Sequence, residues 1–309
     1  MMSELADALK GHFTMVNLGC IGDEDLLLPE ELAKSLTVVE VDMEGQAATT
    51  DRYYRKISLK IPISGTAGKH TFRRNSFAGS CSLSDPLDGV VKDFGLERYC
   101  REIERLEIQC ETLPNLIRAQ GLEGIDMLKT DVEGADTDIV KSCKDYLGKM
   151  LMIQCELRFQ PFFKNEPAFH ELVSFLAPYG YEVLDIIHID RWKYQTAHWH
   201  WQMQGRAVFG DFLFVLQPER LKDLKEGMPL AVAKQIILAC MMGKRNYGEY
   251  LLLKFQSSLP AAWVSELQQL VKPRFPGFRA FAQGCRRTFM PLELFLKHRI
   301  NRSEHAAIR

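Results

Sequence analysis

The sequence predicts an α/β protein, a mainly parallel sheet covered on both faces, with helices added behind it. Two observations lead there. From residue 14 to residue 216, short apolar runs of strand length alternate with stretches of helical spacing. After Gln217 and Pro218 the strand pattern stops, and only helical periodicity continues. The 309 residues, 46% hydrophobic and 26% charged, are enough to bury a full core.

Seven strands are expected, at 14–18, 37–41, 58–63, 125–128, 150–155, 181–189 and 208–216. Helices are expected at 26–35, 114–120, 137–146 and 167–179. In the last third, 230–242, 247–256 and 261–271 have helical length and spacing, and Pro229 stands where a helix start tolerates proline. Pro273, Pro276 and Gly277 interrupt before a basic end with Arg286, Arg287, Lys297, Arg299 and Arg302. The reading divides the chain into a domain of residues 1–217 and a helical C-terminal extension of residues 218–309. Apolar faces in that extension must be covered, so it is expected to pack on the core domain or on a second copy, influencing acceptor access or self-association.

Composition excludes several classes. A formal charge of -1 and a pI near 6.7 supply no basic field for nucleic acid and no polybasic membrane anchor. No apolar run has the length of a membrane span, and the opening MMSELADALKGHF lacks the apolar core of a signal peptide, so a cytoplasmic location is expected. The eight cysteines form no CxxC pair and no zinc spacing, and read as buried or free thiols of a reducing compartment.

The chemistry concentrates in IDMLKTDVEGADTD, residues 125–138. Ile125, Met127 and Leu128 suit a strand, Gly134 permits a tight turn, and Ile139, Val140 and Cys143 continue with helical spacing. Asp131, Glu133, Asp136 and Asp138 therefore crowd one strand-to-helix corner with only Lys129 near to balance them. In open α/β sheets ligands bind beyond the carboxyl ends of the strands, where this corner would lie. The competing reading is that Asp131 and Glu133 cap the next helix.

This corner resembles the signature of FkbM-type S-adenosylmethionine-dependent methyltransferases, a Leu-Lys-x-Asp-x-Glu-Gly run matched by Leu128, Lys129, Asp131, Glu133 and Gly134. Further landmarks fall in the family's order: VNLGCIG (16–22), VVEVD (38–42), the Ser-rich AGSCSL (78–83), CETL (110–113), QCELRFQPFF (154–163) and GYEVLD (180–185). The resemblance covers roughly residues 14–216 and implies a Rossmann-like class I methyltransferase fold with a seven-stranded sheet. It also implies a short strand pair at 69–72 and 106–109.

The implied cofactor is S-adenosylmethionine. Gly19 and Gly22 stand in the loop after strand one, followed by Asp23, Glu24 and Asp25. That loop lacks the GxGxxG of a nicotinamide site, and its acids would repel a pyrophosphate while suiting a sulfonium cation. The loop departs from the family: Asn17 replaces an acid, Cys20 follows Gly19, and the second glycine comes one residue early. Asn17 can orient the cofactor's amino acid portion by hydrogen bonds but cannot attract its ammonium as an acid would. Glu40 and Asp42 are expected at the ribose hydroxyls, with Glu44 as a weaker third, and Ser64 at the adenine. Ser80 and Ser82 either line the site or form a surface turn.

Asp131, Glu133 and Glu156 are the expected catalytic carboxylates for methyl transfer to a hydroxyl of a sugar, glycan or secondary metabolite. Arg158 is expected either to pair with these acids or to clamp a substrate. No metal is required, although an oxygen-rich site suits Mg²⁺. The segment 192–202 could line the acceptor pocket with Trp192, Trp199 and Trp201; its His198 and His200 lack the further ligands of a zinc site. Asp211 matches an acid of the last core strand. The alternative function is a non-catalytic scaffold that kept the fold and lost tight cofactor binding. The expected partner is a small-molecule or glycan acceptor, without nucleic acid or membrane, in a possible homo-oligomer.

Overall fold

In the computed structural model, residues 3–19, 28–43, 51–196 and 205–272 are described. The chain opens with α1 (Glu4–Leu9) and β1 (Phe13–Leu18), followed by α2 (Glu30–Ala33), β2 (Leu36–Val41) and β3 (Arg55–Leu59). An antiparallel pair, β4 (Gly68–Asn75) and β5 (Glu102–Cys110), encloses α3 (Asp88–Phe94). Next come α4 (Leu113–Ala119), β6 (Met127–Thr130), α5 (Asp136–Ser142), β7 (Met152–Arg158), α6 (Phe169–Leu176), β8 (Tyr181–Trp192) and β9 (Arg206–Leu216). Four helices finish the described chain: α7 (Pro218–Leu221), α8 (Met228–Met241), α9 (Arg245–Phe255) and α10 (Ala261–Val271).

Seven strands form one sheet in the order β3-β2-β1-β6-β7-β9-β8. The first five in that order run parallel, and β9 lies antiparallel to both β7 and β8. The order reverses between β1 and β6, which opens a crevice beyond their carboxyl ends. Strands β1 and β7, covered on both faces, are buried almost throughout, as central parallel strands must be.

Several boundaries moved for identifiable reasons. The third strand was expected at 58–63 but pairs with β2 only through Leu59, because Pro62 has no N–H to give a ladder and its carbonyl instead accepts the Glu111 N–H at 2.9 Å. The fourth core strand shifts from 125–128 to Met127–Thr130, where its register with Met15 to Leu18 places it. Helices α1 and α3 were not anticipated. Ser3 caps α1 by accepting the Ala6 N–H, and α3 ends on Gly95 in the left-handed region at φ 68°.

The chain divides into two compact units, residues 1–271 and 272–309, and all the elements above belong to the first. Helix α8 is apolar nearly all round and is buried over most of its length, the pattern of a core helix. Its Gln235 Nε2 donates to the Leu216 carbonyl at 2.7 Å, and Lys234 pairs with Asp126 at 2.9 Å. Asp126 also accepts the Thr14 N–H at 2.8 Å. These partners lie at the amino ends of β1 and β6 and at the carboxyl end of the reversed β9. The described part of the extension thus meets the sheet at the end remote from the acidic corner. None of the described helices is long and apolar enough to cross a membrane. Six described cysteines are free thiols.

Candidate active site

The site begins where β1 and β6 part. Gly19, at φ 76°, donates its N–H to the Val41 carbonyl, while Asp131 donates its own to the Leu18 carbonyl. A Cβ on Gly19 would stand 1.9 Å from the Asp131 carbonyl oxygen, so only glycine lets these two chains press together. Gly19→Ala should lower stability by about 2 to 3 kcal/mol, combining left-handed strain with overpacking, and weaken ligand binding at the corner. Thermal unfolding with and without ligand measures both effects.

Beyond Asp131 the chain turns sharply. Glu133 has φ 55°, and Gly134 at φ 97° lies so close to the Phe163 ring that a Cβ would come within 2.6 Å of it. Asp136 opens α5 and accepts the Val132 N–H at 3.3 Å, so the bond at the helix start comes from Asp136. The Glu133 carboxylate is directed elsewhere. Carboxylate oxygens of Asp131, Glu133 and Glu156 all lie within 4.8 Å of one another. Glu156 reaches the cluster from β7, and Asp211 stands opposite it on β9.

One guanidinium joins these acids. Arg158 Nη2 donates to Glu133 at 2.7 Å and forms an ion pair with Glu156 at 2.9 Å, and Nε donates to Glu166 at 3.0 Å. Rings of Phe162, Phe163 and Phe209 surround it at 5.1 to 5.4 Å. Arg158 is therefore a partner of the carboxylates, the first of the two expectations for it. Glu166 was missed in the sequence. Its second oxygen accepts the N–H groups of Phe162 and Phe163 at 2.7 and 3.0 Å, and nothing local marks a glutamate in that turn as a partner of β7.

With more carboxylates than cations in a poorly hydrated corner, protonation is favoured. Burial, which Arg158 only partly offsets, pushes both Glu133 and Glu156 well above the usual carboxylate range, and each also feels Asp131 and Asp136. Burial likewise raises Asp136 to about 6, although the Val132 N–H opposes the shift.

Of the residues expected to hold a cofactor, Asn17, Gly19, Glu40, Asp42 and Ser64 are among the described residues, in or just after β1, β2 and β3. Asn17 is buried in β1 between Glu40 of β2 and Lys129 of β6 in the pairing register. Glu40 is paired with Lys56 at 3.1 Å, and Asp42 follows the end of β2, its N–H on the Leu59 carbonyl. Ser64 is buried in a turn, donating to the Thr66 carbonyl at 2.6 Å and meeting His70 Nε2 at 3.2 Å. A Cβ on neighbouring Gly65 would fall 2.7 Å from Asp138, which places this turn against the start of α5. Ser82 donates to the Glu133 carbonyl at 2.6 Å, so the Ser-rich segment does border the corner. Gly22, Glu44 and the acids at 23–25 lie outside the described residues, as do His198, Trp199, His200 and Trp201. Trp192 packs edge-on against Phe94, Phe162 and Phe209 in a small second core rather than in an open pocket wall.

A parallel sheet with its last strand reversed, and an acidic corner at the switch point, is the architecture of a methyltransferase-like fold. Residues 24–183, over half of the chain, match the family model of the methyltransferase FkbM domain, and the protein belongs to that family. No curated protein and no solved structure matches it.

Proposed function

We propose that the protein transfers a methyl group from S-adenosylmethionine to a hydroxyl of a sugar, glycan or secondary metabolite. The observation that carries this reading is the convergence of Asp131, Glu133 and Glu156 beyond the carboxyl ends of β6 and β7, beside the close approach at Gly19. The donor set fits a cationic, phosphate-free cofactor, because a cation placed beside Glu133 and Glu156 would favour the ionised form that burial disfavours. Asn17, Gly19, Gly22, Asp42 and Ser64 would hold that cofactor, which supplies an electrophilic methyl group. The protein's own work is to orient an acceptor hydroxyl and take its proton, a role for Glu133 or Glu156 once deprotonated, with Asp131 beside them.

A scaffold reading has one specific observation behind it: Lys56 already neutralises Glu40, one of the two acids expected at the ribose. Calorimetric titration decides between the two. S-adenosylhomocysteine should bind in preference to NAD. Absence of heat and of thermal shift with both S-adenosylmethionine and its demethylated product, in folded protein, would remove the enzymatic reading.

A further inference from the structure

We infer that Ser82 and Arg158 are positioning residues that hold Glu133 from both ends and so set its carboxylate for the acceptor. The acceptor rests on the methyltransferase reading; the holding does not. Among the described residues, Glu133 and Asn165 alone carry a positive φ without being glycine. Side chains rarely adopt that region unless their surroundings over-determine it. At Glu133 they do. Its carbonyl accepts the Ser82 hydroxyl at 2.6 Å, and its Oε2 accepts Arg158 Nη2 at 2.7 Å.

Each holder is itself fixed. Ser82 is buried, exchanges backbone hydrogen bonds with Arg73 at 2.8 and 3.1 Å, and accepts the Ser84 N–H at 3.1 Å. Arg158 is 3% exposed, spans Glu133, Glu156 and Glu166, and is enclosed by three phenylalanine rings. Glu166 then ties it to the 162–163 backbone. The other carboxylate oxygen, Glu133 Oε1, faces the Ser-rich segment, where a Cβ on Gly79 would come within 3.6 Å. Asp131 beside it, Glu156 and Arg158 from β7, and Asp136 from α5 are the charged groups that face Glu133.

The test needs neither cofactor nor acceptor. Full-length protein labelled with carboxyl-¹³C glutamate is titrated by NMR, with Glu133 and Glu156 assigned through Glu133→Gln and Glu156→Gln. In Ser82→Ala, the Glu133 midpoint should move by about 0.5 pH unit or more and by more than that of Glu156, since only Glu133 loses its holder. In Arg158→Gln both midpoints should rise, and Arg158→Lys should restore part of the shift because the positive charge returns. Superposition of the Ser82→Ala curves on those of the wild type, or equal movement of both glutamates, overturns the inference. Should Arg158→Gln fail to fold, Ser82→Ala decides alone. S-adenosylhomocysteine calorimetry on the same samples reports separately on the methyltransferase reading, so failure of one is distinguishable from failure of the other.

Discussion

Glu133→Gln should reduce methyl transfer by about 10²- to 10⁴-fold while leaving the melting temperature unchanged or higher, the size of effect a positioned acid-base group supplies. Glutamine keeps the shape of the side chain and an oxygen to accept Arg158 Nη2, but cannot take a proton from a hydroxyl. It also removes one of several like charges from the corner. Burial raises Glu133, Glu156 and Asp136, so between the ordinary carboxylate range and the raised values the folded protein binds more protons than the unfolded chain. Stability must then fall as pH rises through that interval, which for Asp136 runs from 3.8 to about 6 and for the two glutamates extends higher from 4.5. Melting temperatures at pH 5 and pH 8 should differ less in Glu133→Gln than in the wild type. Asp131→Asn should likewise cost more than about tenfold in rate. Retained activity with the acceptor that supports wild-type turnover, alongside a collapse of stability, would assign Glu133 to the fold rather than to the chemistry.

The second large effect lies at the other end of the sheet. Lys234→Met should destabilise the protein by about 3 to 5 kcal/mol near neutral pH, because it strands the Asp126 carboxylate, whose side chain is only 14% exposed. For a chain of this size that corresponds to a melting-temperature loss of roughly 5 to 8 °C. Burial already raises the Asp126 pKa, with Lys234 and the Thr14 N–H opposing the rise. Without Lys234 the carboxylate should protonate more readily still, and the loss should shrink as pH falls toward 5. Asp126→Asn added to Lys234→Met should recover part of the stability, since no uncompensated charge then remains. A loss below about 1 kcal/mol would mean that water screens the pair as it does at a surface. Ligand binding at the acidic corner should be unaffected in either variant.

Much of this was legible in the chain. Strand-length apolar runs located all seven sheet strands, and the landmarks from Leu128 to Gly134 located the corner, because local chain direction and local chemistry coincide there. Gly19 stood out as a loop glycine, but the reason for it, the Asp131 carbonyl at 1.9 Å from any Cβ, comes from a residue more than a hundred positions away. Helix α1 escaped notice because its buried face, Leu5, Ala6 and Leu9, occupies only two turns. The third strand ended early at a proline whose effect depended on which neighbour it would have paired with.

By itself the sequence determined the α/β alternation, the crowding of acids at one strand end and the helical character of residues beyond 217, since each depends on periodicity or turn chemistry within a few residues. Only the tertiary structure decided which charge meets which. Glu133, Glu156, Arg158 and Glu166 come together from a turn, a strand and a loop, and Asp126 meets Lys234 across 108 positions. Such pairings follow from strand order and register, which arise when the whole sheet buries its faces, and no local pattern encodes them.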